Sequence, residues 1–524
     1  MTDNSQSMSQ SNPSEMAVGW RRSILSLGQP PVISLFFLGI SAGIPLLLIF
    51  SSLSLWLREA GVDRSAVTYF SWAALGYSFK FVWAPLVDRL SLPWLTDYLG
   101  RRRSWLLLSQ LMIMLSIGAM ASIDPASQTL TAMAIAAVLL GFSSATQDIV
   151  IDAYRIESAP DNLQALMSST YVAGYRFGML LAGAGALFLA AHLGSTAEHY
   201  DYSAWRTTYL IMASLMLIGV VTTLLITEPN LPCGDNKTLT PHSELGFLLL
   251  FVAAVAGFIG CYLYSANLAI ILKQQLSALL ANSNLSAVAI ELCRLTTALL
   301  VATGIARLVV RTGVVEIEHV KTAYLDPVKD FFQRYGLRLA WTLLVLIGFY
   351  RVSDIVLGVI SNLFYQDLGY SKTTIAQAVK LFGLLMTILG GLLGGIMALR
   401  FGVIRMLLLG AVLSSLTNLL FVVLAQADHN LNLLYLVIAA DNLSAGLASA
   451  AFIAFLSSLT NISFTATQYA IFSSLMTLMP KALGGYSGSI VDAVGYEMFF
   501  TLSALIGLPV IVLIFAVSRL IAKD

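Results

Sequence analysis

Two aspartates, Asp148 and Asp152, stand four residues apart near the end of one apolar run, with Arg155 close by. In the next apolar run a single arginine, Arg176, stands deep inside. Lys80, Arg351, Lys481, Asp354 and Asp441 occupy comparable positions in other runs. A cation at the middle of a membrane helix costs at least about 2.5 to 3.5 kcal/mol on insertion scales, so each needs a partner, a wet cavity or a ligand. The chemistry these residue types offer is recognition and proton binding. Lysine and arginine can hold an anionic solute. A carboxylate desolvated in a cavity can be moved into the range where it gains and loses a proton.

Each cation has two readings. Lys80, Arg176, Arg351 and Lys481 either line a central cavity that receives an anionic or strongly polar solute, or are neutralised by internal carboxylates and tie helices together. Arg176 favours the first reading and Lys80 divides evenly. Arg351 favours the second, because Asp354 follows one turn later. Lys380, nearer a helix end, can snorkel. Asp148 and Asp152 are either proton sites or a latch between helices, which leaves Asp354 and Asp441 as the better proton sites. His192, His199, His242, His319 and His429 all fall in loops or at membrane edges. There is no Gly-rich loop with Lys-Ser/Thr for phosphate, no His/Cys set at metal-ligand spacing and no serine with an arranged His and Asp. No enzyme activity, catalytic residue, metal or cofactor is expected.

The elements that must position these residues are membrane spans. Of 524 residues 58% are hydrophobic and only 11% charged, with a mean hydropathy of +0.82, against roughly 25% charged in soluble domains. This is an all-α polytopic membrane protein, for which the lipid bilayer is the surrounding partner. A net charge of +1 implies no nucleic-acid surface. Cys233, Cys261 and Cys293 are an odd set and imply no disulfide framework.

Hydropathy places six spans at about 32–55, 66–87, 104–122, 129–150, 164–191 and 206–227. A second six lie at about 338–363, 373–398, 403–425, 431–457, 466–491 and 496–519. Between them are runs at about 245–271 and 287–310, where Glu291 and Arg294 hint at a face toward protein, and a charged stretch, Arg311 to Arg338, that suits an amphipathic helix. Fourteen helices in a six, two, six arrangement are expected. The divisions are a cytoplasmic tail (1–29), a first six-helix bundle (30–230), a linker with two additional helices (231–336) and a second six-helix bundle (337–524). Arg21, Arg22, Arg101–Arg103, Arg400, Arg405 and Arg519 put both termini in the cytoplasm by the positive-inside rule.

The two sixes look like repeats. Ala165-Leu-Met-Ser-Ser through Arg176 aligns without a gap with Ala470-Ile-Phe-Ser-Ser through Lys481, and Leu57 to Ser65 aligns with Tyr365 to Thr373 at nearly the same offset. Parallel repeats of this kind mark secondary transporters. Gly174, Gly178, Gly391 to Gly395 and Gly488 offer small faces for packing or sliding.

Pro85-Leu-Val-Asp-Arg89 followed by Gly100-Arg-Arg-Arg103 resembles the loop signature of the major facilitator superfamily. That resemblance implies a cytoplasmic charge network with Asp88 and Arg101 or Arg102 as gating partners and Arg89 beside them, although the insert Leu90 to Leu99 lengthens the loop. Phe79 to Arg89, Ala145 to Tyr154, Gly174 to Leu180 and Ser463 to Ala470 are further similar to the AmpG-type muropeptide permeases within that superfamily. The likeness implies a fourteen-helix protein of the bacterial inner membrane that imports anhydro-muropeptides with protons, and the chain is expected to act as a monomer. It further implies a part in peptidoglycan recycling and, in some bacteria, in beta-lactamase induction. Such a solute is an anionic amphipathic small molecule, whose carboxylates suit Arg176, Lys80, Lys481 and Arg351, and whose sugar faces suit Tyr175, Tyr350 and Trp72. Another anionic conjugate such as an acyl-CoA or a peptide, or a sensor or channel that does not cycle, is the alternative.

Overall fold

The computed structural model describes residues 25–521, apart from 64–66, 68–69, 71–72, 74–75, 128–129, 197–198, 230–240, 281–282, 428 and 485–486. In hydrocarbon the backbone can satisfy its polar groups only within its own segment or in a closed barrel. Every regular element among the described residues is accordingly a helix. The main ones are α1 (Pro30–Glu59), α2 (Gly76–Phe79), α3 (Ala84–Arg89), α4 (Arg101–Ala121), α5 (Leu130–Ser158), α6 (Leu163–His192) and α7 (Tyr202–Leu225). Then come α8 (Pro241–Tyr264), α9 (Ala266–Leu280) and α10 (Ser283–Arg311). The remainder are α11 (Asp326–Phe349), α12 (Val352–Asp367), α13 (Gln377–Phe401), α14 (Val403–Gln426), α15 (Leu431–Ser458), α16 (Thr465–Gly484) and α17 (Ser487–Ile521).

Twelve helices among the described residues are long and apolar enough to cross a membrane, which makes the chain a multi-pass membrane protein. The expected span at 66–87 falls partly outside the described residues, as does the N-terminal tail up to residue 24. α16 is not among the twelve: Thr465, Thr467, Gln468, Ser473, Ser474, Thr477 and Lys481 dilute its hydropathy.

By contacts the chain forms two units, one comprising Met1–Ala84, Leu92–Pro232 and Phe332–Asp524, the other Pro85–Ser91 and Cys233–Phe331. The first unit has two apolar cores. In α1 to α7, Trp56 stacks on Trp205 at 5.8 Å beside Tyr209 and Ile113. From α12 onward, Phe364 meets Phe500 at 4.7 Å beside Phe421 and Leu434. Pro45 interrupts α1, and a π-turn over Leu48–Ser52 follows. A second π-turn, Leu181–Gly185, packs against it. Such turns leave carbonyls free: Leu48 O accepts from Tyr209 at 3.0 Å and Ala182 O from Ser52 at 2.7 Å.

Glycines set the closest crossings. A Cβ at Gly43 would lie 2.0 Å from Tyr175 O, and one at Gly174 would lie 2.0 Å from Phe36 O, so α1 and α6 touch backbone to backbone. Gly390 and Gly446 do the same for α13 and α15. Gly391 and Gly488 have room for a side chain, so the small faces are narrower than the spacing suggests. The repeat has a geometric counterpart. Glu59 and Asp367, equivalent in the alignment, each accept a hydrogen bond from an aromatic side chain, Trp205 at 2.7 Å and Tyr496 respectively. Each carboxylate is followed by a left-handed glycine, Gly61 (φ 82°) and Gly369 (φ 83°).

In the second unit α8 and α9 pair with α10. Glu291 takes Lys273 Nζ, Arg294 Nη1 at 3.0 Å and the Tyr262 hydroxyl at 3.0 Å, and Arg294 covers the Tyr262 ring at 4.0 Å. The charges expected to face other protein therefore satisfy one another inside the hairpin. The two spans remain largely uncovered within this chain, with 17% and 6% of their apolar windows buried.

Candidate functional site

The carboxylates and cations of α5 form one connected network. From Ser143 to Ile156 every residue of α5 is buried, so the i, i+4, i+7 face of Asp148, Asp152 and Arg155 has to be satisfied inside the protein. A 3₁₀ turn at Lys80–Val82 brings Lys80 to Asp152, with Nζ to Oδ2 at 3.4 Å, while Arg155 reaches the other oxygen of Asp152 at 3.4 Å. Asp152 is thus held by two cations. Asp148 accepts only from the Tyr171 hydroxyl, at 3.3 Å, among the described residues.

Arg155 is fully buried and ties the two halves together. Its Nη1 donates to Ser168 Oγ at 3.0 Å within the first half and to Ser457 Oγ on α15 at 2.7 Å in the second. Its guanidinium lies 5.1 Å over the Tyr469 ring of α16. Close by, Gly395 of α13 abuts α6: a Cβ there would lie 2.2 Å from Ser169 Oγ. Ala165, Ala398, Met406, Leu447, Ala451 and Ala454 complete this apolar seam. The halves therefore meet tightly at the end that carries the basic loops.

In the second half Arg351 and Asp354 stand one turn apart, with Nε to Oδ2 at 3.5 Å in ion-pair geometry. Arg351 also donates to Ser449, and Ser414 donates to Asp354. Asp441, half-buried, lies within electrostatic reach of both Asp354 and Arg351 but accepts no hydrogen bond among the described residues. Tyr350 is buried, stacked on Phe452 at 4.3 Å, with its hydroxyl on Leu407 O at 3.1 Å, which is a packing position.

Between the halves are the two repeat-related cations. Lys481 Nζ donates to Ser78 Oγ across the interface at 3.1 Å. Arg176 has one polar contact among the described residues, the Met179 sulfur at 4.0 Å, and Arg351 lies within its electrostatic reach. Tyr175 is half-buried beside Tyr171, their rings 6.1 Å apart. Trp72 lies outside the described residues.

At the basic end Arg102 is buried, with Nε on Glu157 Oε2 at 2.8 Å and its amide on Glu228 Oε1 at 2.7 Å. Arg103 caps α7 through the carbonyls of Thr223 and Leu224. Glu157 and Glu228 went unnoticed in the sequence because neither sits in a recognisable motif, though both lie near helix ends where an arginine cluster needs acceptors. Ser457 carries no such signal either, and Tyr469 stands in the stretch Ser463 to Ala470 without a role that its spacing reveals. In the second unit Asp88 is buried, and Arg89 donates to Thr322 O at 2.8 Å, a carbonyl inside the π-turn Lys321–Leu325. Ser91 Oγ donates to Glu244 at 2.6 Å. The loop after α3 is thereby fastened to the middle segment. Arg101 begins α4.

The charged groups named above line neither of two recesses in the structure. One of about 730 Å³ lies among Phe364, Gln426, Tyr496 and Glu497. The other, of about 450 Å³, is apolar.

The Major Facilitator Superfamily sequence pattern matches residues 32–315 and 342–522. "Putative transporter AmpG 4" of Rickettsia conorii is 30% identical over 475 residues, covering 91% of this chain and 93% of its own. "Anhydromuropeptide permease" of Escherichia coli K12 is 28% identical over 487 residues, covering 93% and 79%. Among solved structures, the proton:xylose symporter XylE superposes with a TM-score of 0.56 at 13% identity, over 95% of this chain and 96% of its own. The E. coli fucose:proton symporter FucP gives 0.56 at 11%, over 94% and 99%. With this architecture, and with distant kinship to AmpG-like permeases, the chain belongs to the major facilitator superfamily of membrane transporters.

Proposed function

We propose that the protein is a secondary transporter of the bacterial inner membrane that imports anhydro-muropeptides from periplasm to cytoplasm, coupled to protons, by alternating access. The observation that carries this reading is Arg176: a guanidinium inside a membrane helix whose only polar contact among the described residues is a methionine sulfur. Such a cation calls for an anionic ligand. A muropeptide offers carboxylates that a guanidinium can grip with two parallel hydrogen bonds. The relative named anhydromuropeptide permease supports this solute, and relatives named proton symporters support the coupling ion.

In this reading Arg176, with Arg351 and Lys481, receives the solute's carboxylates, and Tyr175 covers a sugar face. Lys80 belongs to the latch through Asp152, and Tyr350 backs Arg351. Asp441 and Asp354 bind the proton. Asp148, with a single hydrogen bond, is the next candidate. Asp152 and Arg155 close the cytoplasmic side, and Asp88, Arg89, Arg101 and Arg102 fix the loops around it. The chain crosses fourteen times, the span at 66–87 and α16 joining the other twelve, with both termini cytoplasmic and with the domain divisions that hydropathy suggests.

The test is uptake of radiolabelled N-acetylglucosaminyl-anhydromuramyl peptide into proteoliposomes, with and without an inward proton gradient. Gradient-dependent accumulation, lost in Arg176→Ala at unchanged membrane insertion, is expected. Counterflow of a different anionic conjugate without muropeptide uptake would replace the substrate. Absence of any counterflow would point to a sensor or channel.

A further inference from the structure

The apolar recess of about 450 Å³ lies where elements of the two halves cross. Phe81 comes from the turn after α2, Trp341, Gly348 and Phe349 from α11, and Leu475 and Met479 from α16. Ser474 lies in its floor, 1% exposed, its hydroxyl without a partner among the described residues. The mouth faces outward, since Trp341 is 59% exposed. Met479 and Phe349 are also exposed.

Depth along α11 indicates what reaches it. The helix turns at Gly336 (φ 64°), beside the basic end, where Arg334 is held by Leu459 O and Gln468. From that turn Trp341 is roughly 8 Å along and Phe349 roughly 20 Å. The recess therefore spans about one leaflet of a hydrocarbon core ~30 Å thick. At its shallow end Phe332 meets the Trp341 ring edge-on at 5.6 Å, and a tryptophan at that level is characteristic of the membrane interface. Arg338 precedes Trp341 by one turn on the same helix face. Its side chain is exposed and makes no hydrogen bond or ion pair among the described residues. A leaflet-deep apolar slot with one interfacial cation at its mouth matches a lipid with an anionic head.

We infer that this slot binds an anionic phospholipid of the basic-end leaflet, with one acyl chain between α11 and α16 against Phe81 and the phosphate at Arg338. The lipid sits beside the Lys481 to Ser78 contact, because Met479 and Phe81 neighbour that pair in sequence.

The experiment is native mass spectrometry of the full chain released from nanodiscs of equal parts phosphatidylglycerol and phosphatidylcholine with identical acyl chains. Wild type should retain phosphatidylglycerol at least fivefold over phosphatidylcholine. Arg338→Gln should abolish the preference, Arg338→Lys should keep it, and Gly348→Leu, which fills the slot, should lower retention of both lipids. A control, Leu115→Ala on another exposed face, should change nothing. Equal retention of the two lipids by wild type, a preference that survives Arg338→Gln, or unchanged retention in Gly348→Leu would each overturn the proposal. Displacement of the lipid by soluble glycerol phosphate at equal concentration would overturn it in favour of a simple phosphate site. No transport is measured, so this outcome is separate from that of the uptake experiment.

Discussion

Arg155 engages Asp152, Ser168, Ser457 and Tyr469 at once, with no exposed surface of its own. Removing one partner from a buried ion pair costs about 3 to 5 kcal/mol, because the other charge stays behind. Asp152 keeps Lys80, so Arg155→Ala should fall near the lower figure, seen as a reduced thermal midpoint in detergent. Arg155→Lys should recover only part of it, since a lysine cannot serve Asp152, Ser457 and the tyrosine face together. Outside the membrane Asp201 caps α7, and its carboxyl is held below the ordinary value by the Ser203 amide at 2.8 Å and then the Ser203 hydroxyl at 3.3 Å. A folded-state pKa that is depressed stabilises fully above the unfolded value, about 3.9 for aspartate, and the benefit disappears as pH falls through the lower folded value. Asp201→Ala should therefore melt earlier than wild type at pH 7. The gap between the two proteins should begin to narrow in melting scans as pH falls below about 4 and close only once pH is below the depressed folded value.

Glycines at two kinds of crossing should behave differently among the helices. Gly43 faces Tyr175 backbone within the first half, where a side chain has no space and the crossing does not open. Gly395 faces Ser169 and Ala165 across the seam between the halves. Gly43→Val should leave little folded protein in size-exclusion chromatography. Gly395→Val should fold, at an overpacking cost of about 1 to 3 kcal/mol, yet hold the basic end apart. Reaction of Ala165→Cys with a membrane-impermeant maleimide should then rise severalfold in the Gly395→Val background. Unchanged labelling would show that the seam is static packing.

For the whole molecule, the distribution of charge suggests how closure and coupling are connected. At the basic end the cations meet carboxylates, hydroxyls and a ring, whereas deeper in, Arg176 lacks a carboxylate and Asp441 lacks a hydrogen bond. The groups proposed for solute and proton are thus the ones left without a full set of partners among the described residues, while the cations at the basic end are paired. Asp441→Asn should leave solute counterflow intact but abolish uptake driven by an imposed proton gradient. If gradient-driven uptake in proteoliposomes persists in that variant, the proton site lies elsewhere, with Asp354 or Asp148 next to substitute.

The helical class and the positions of most spans were legible from hydropathy, because each depends on local composition. The equivalence of Glu59 and Asp367 follows from the aligned stretches as well, since a repeat leaves its register in the sequence. Apart from Arg351 and Asp354, one turn apart, tertiary structure alone decided the partners. Arg155 and Ser457 are 302 residues apart, and Arg102 finds Glu228 across 126. Which of several buried carboxylates meets which cation depends on the rotation of each helix about its axis. That rotation is set by crossings such as Gly43 on Tyr175, where contact distances of a few ångströms, rather than residue type, determine the neighbour.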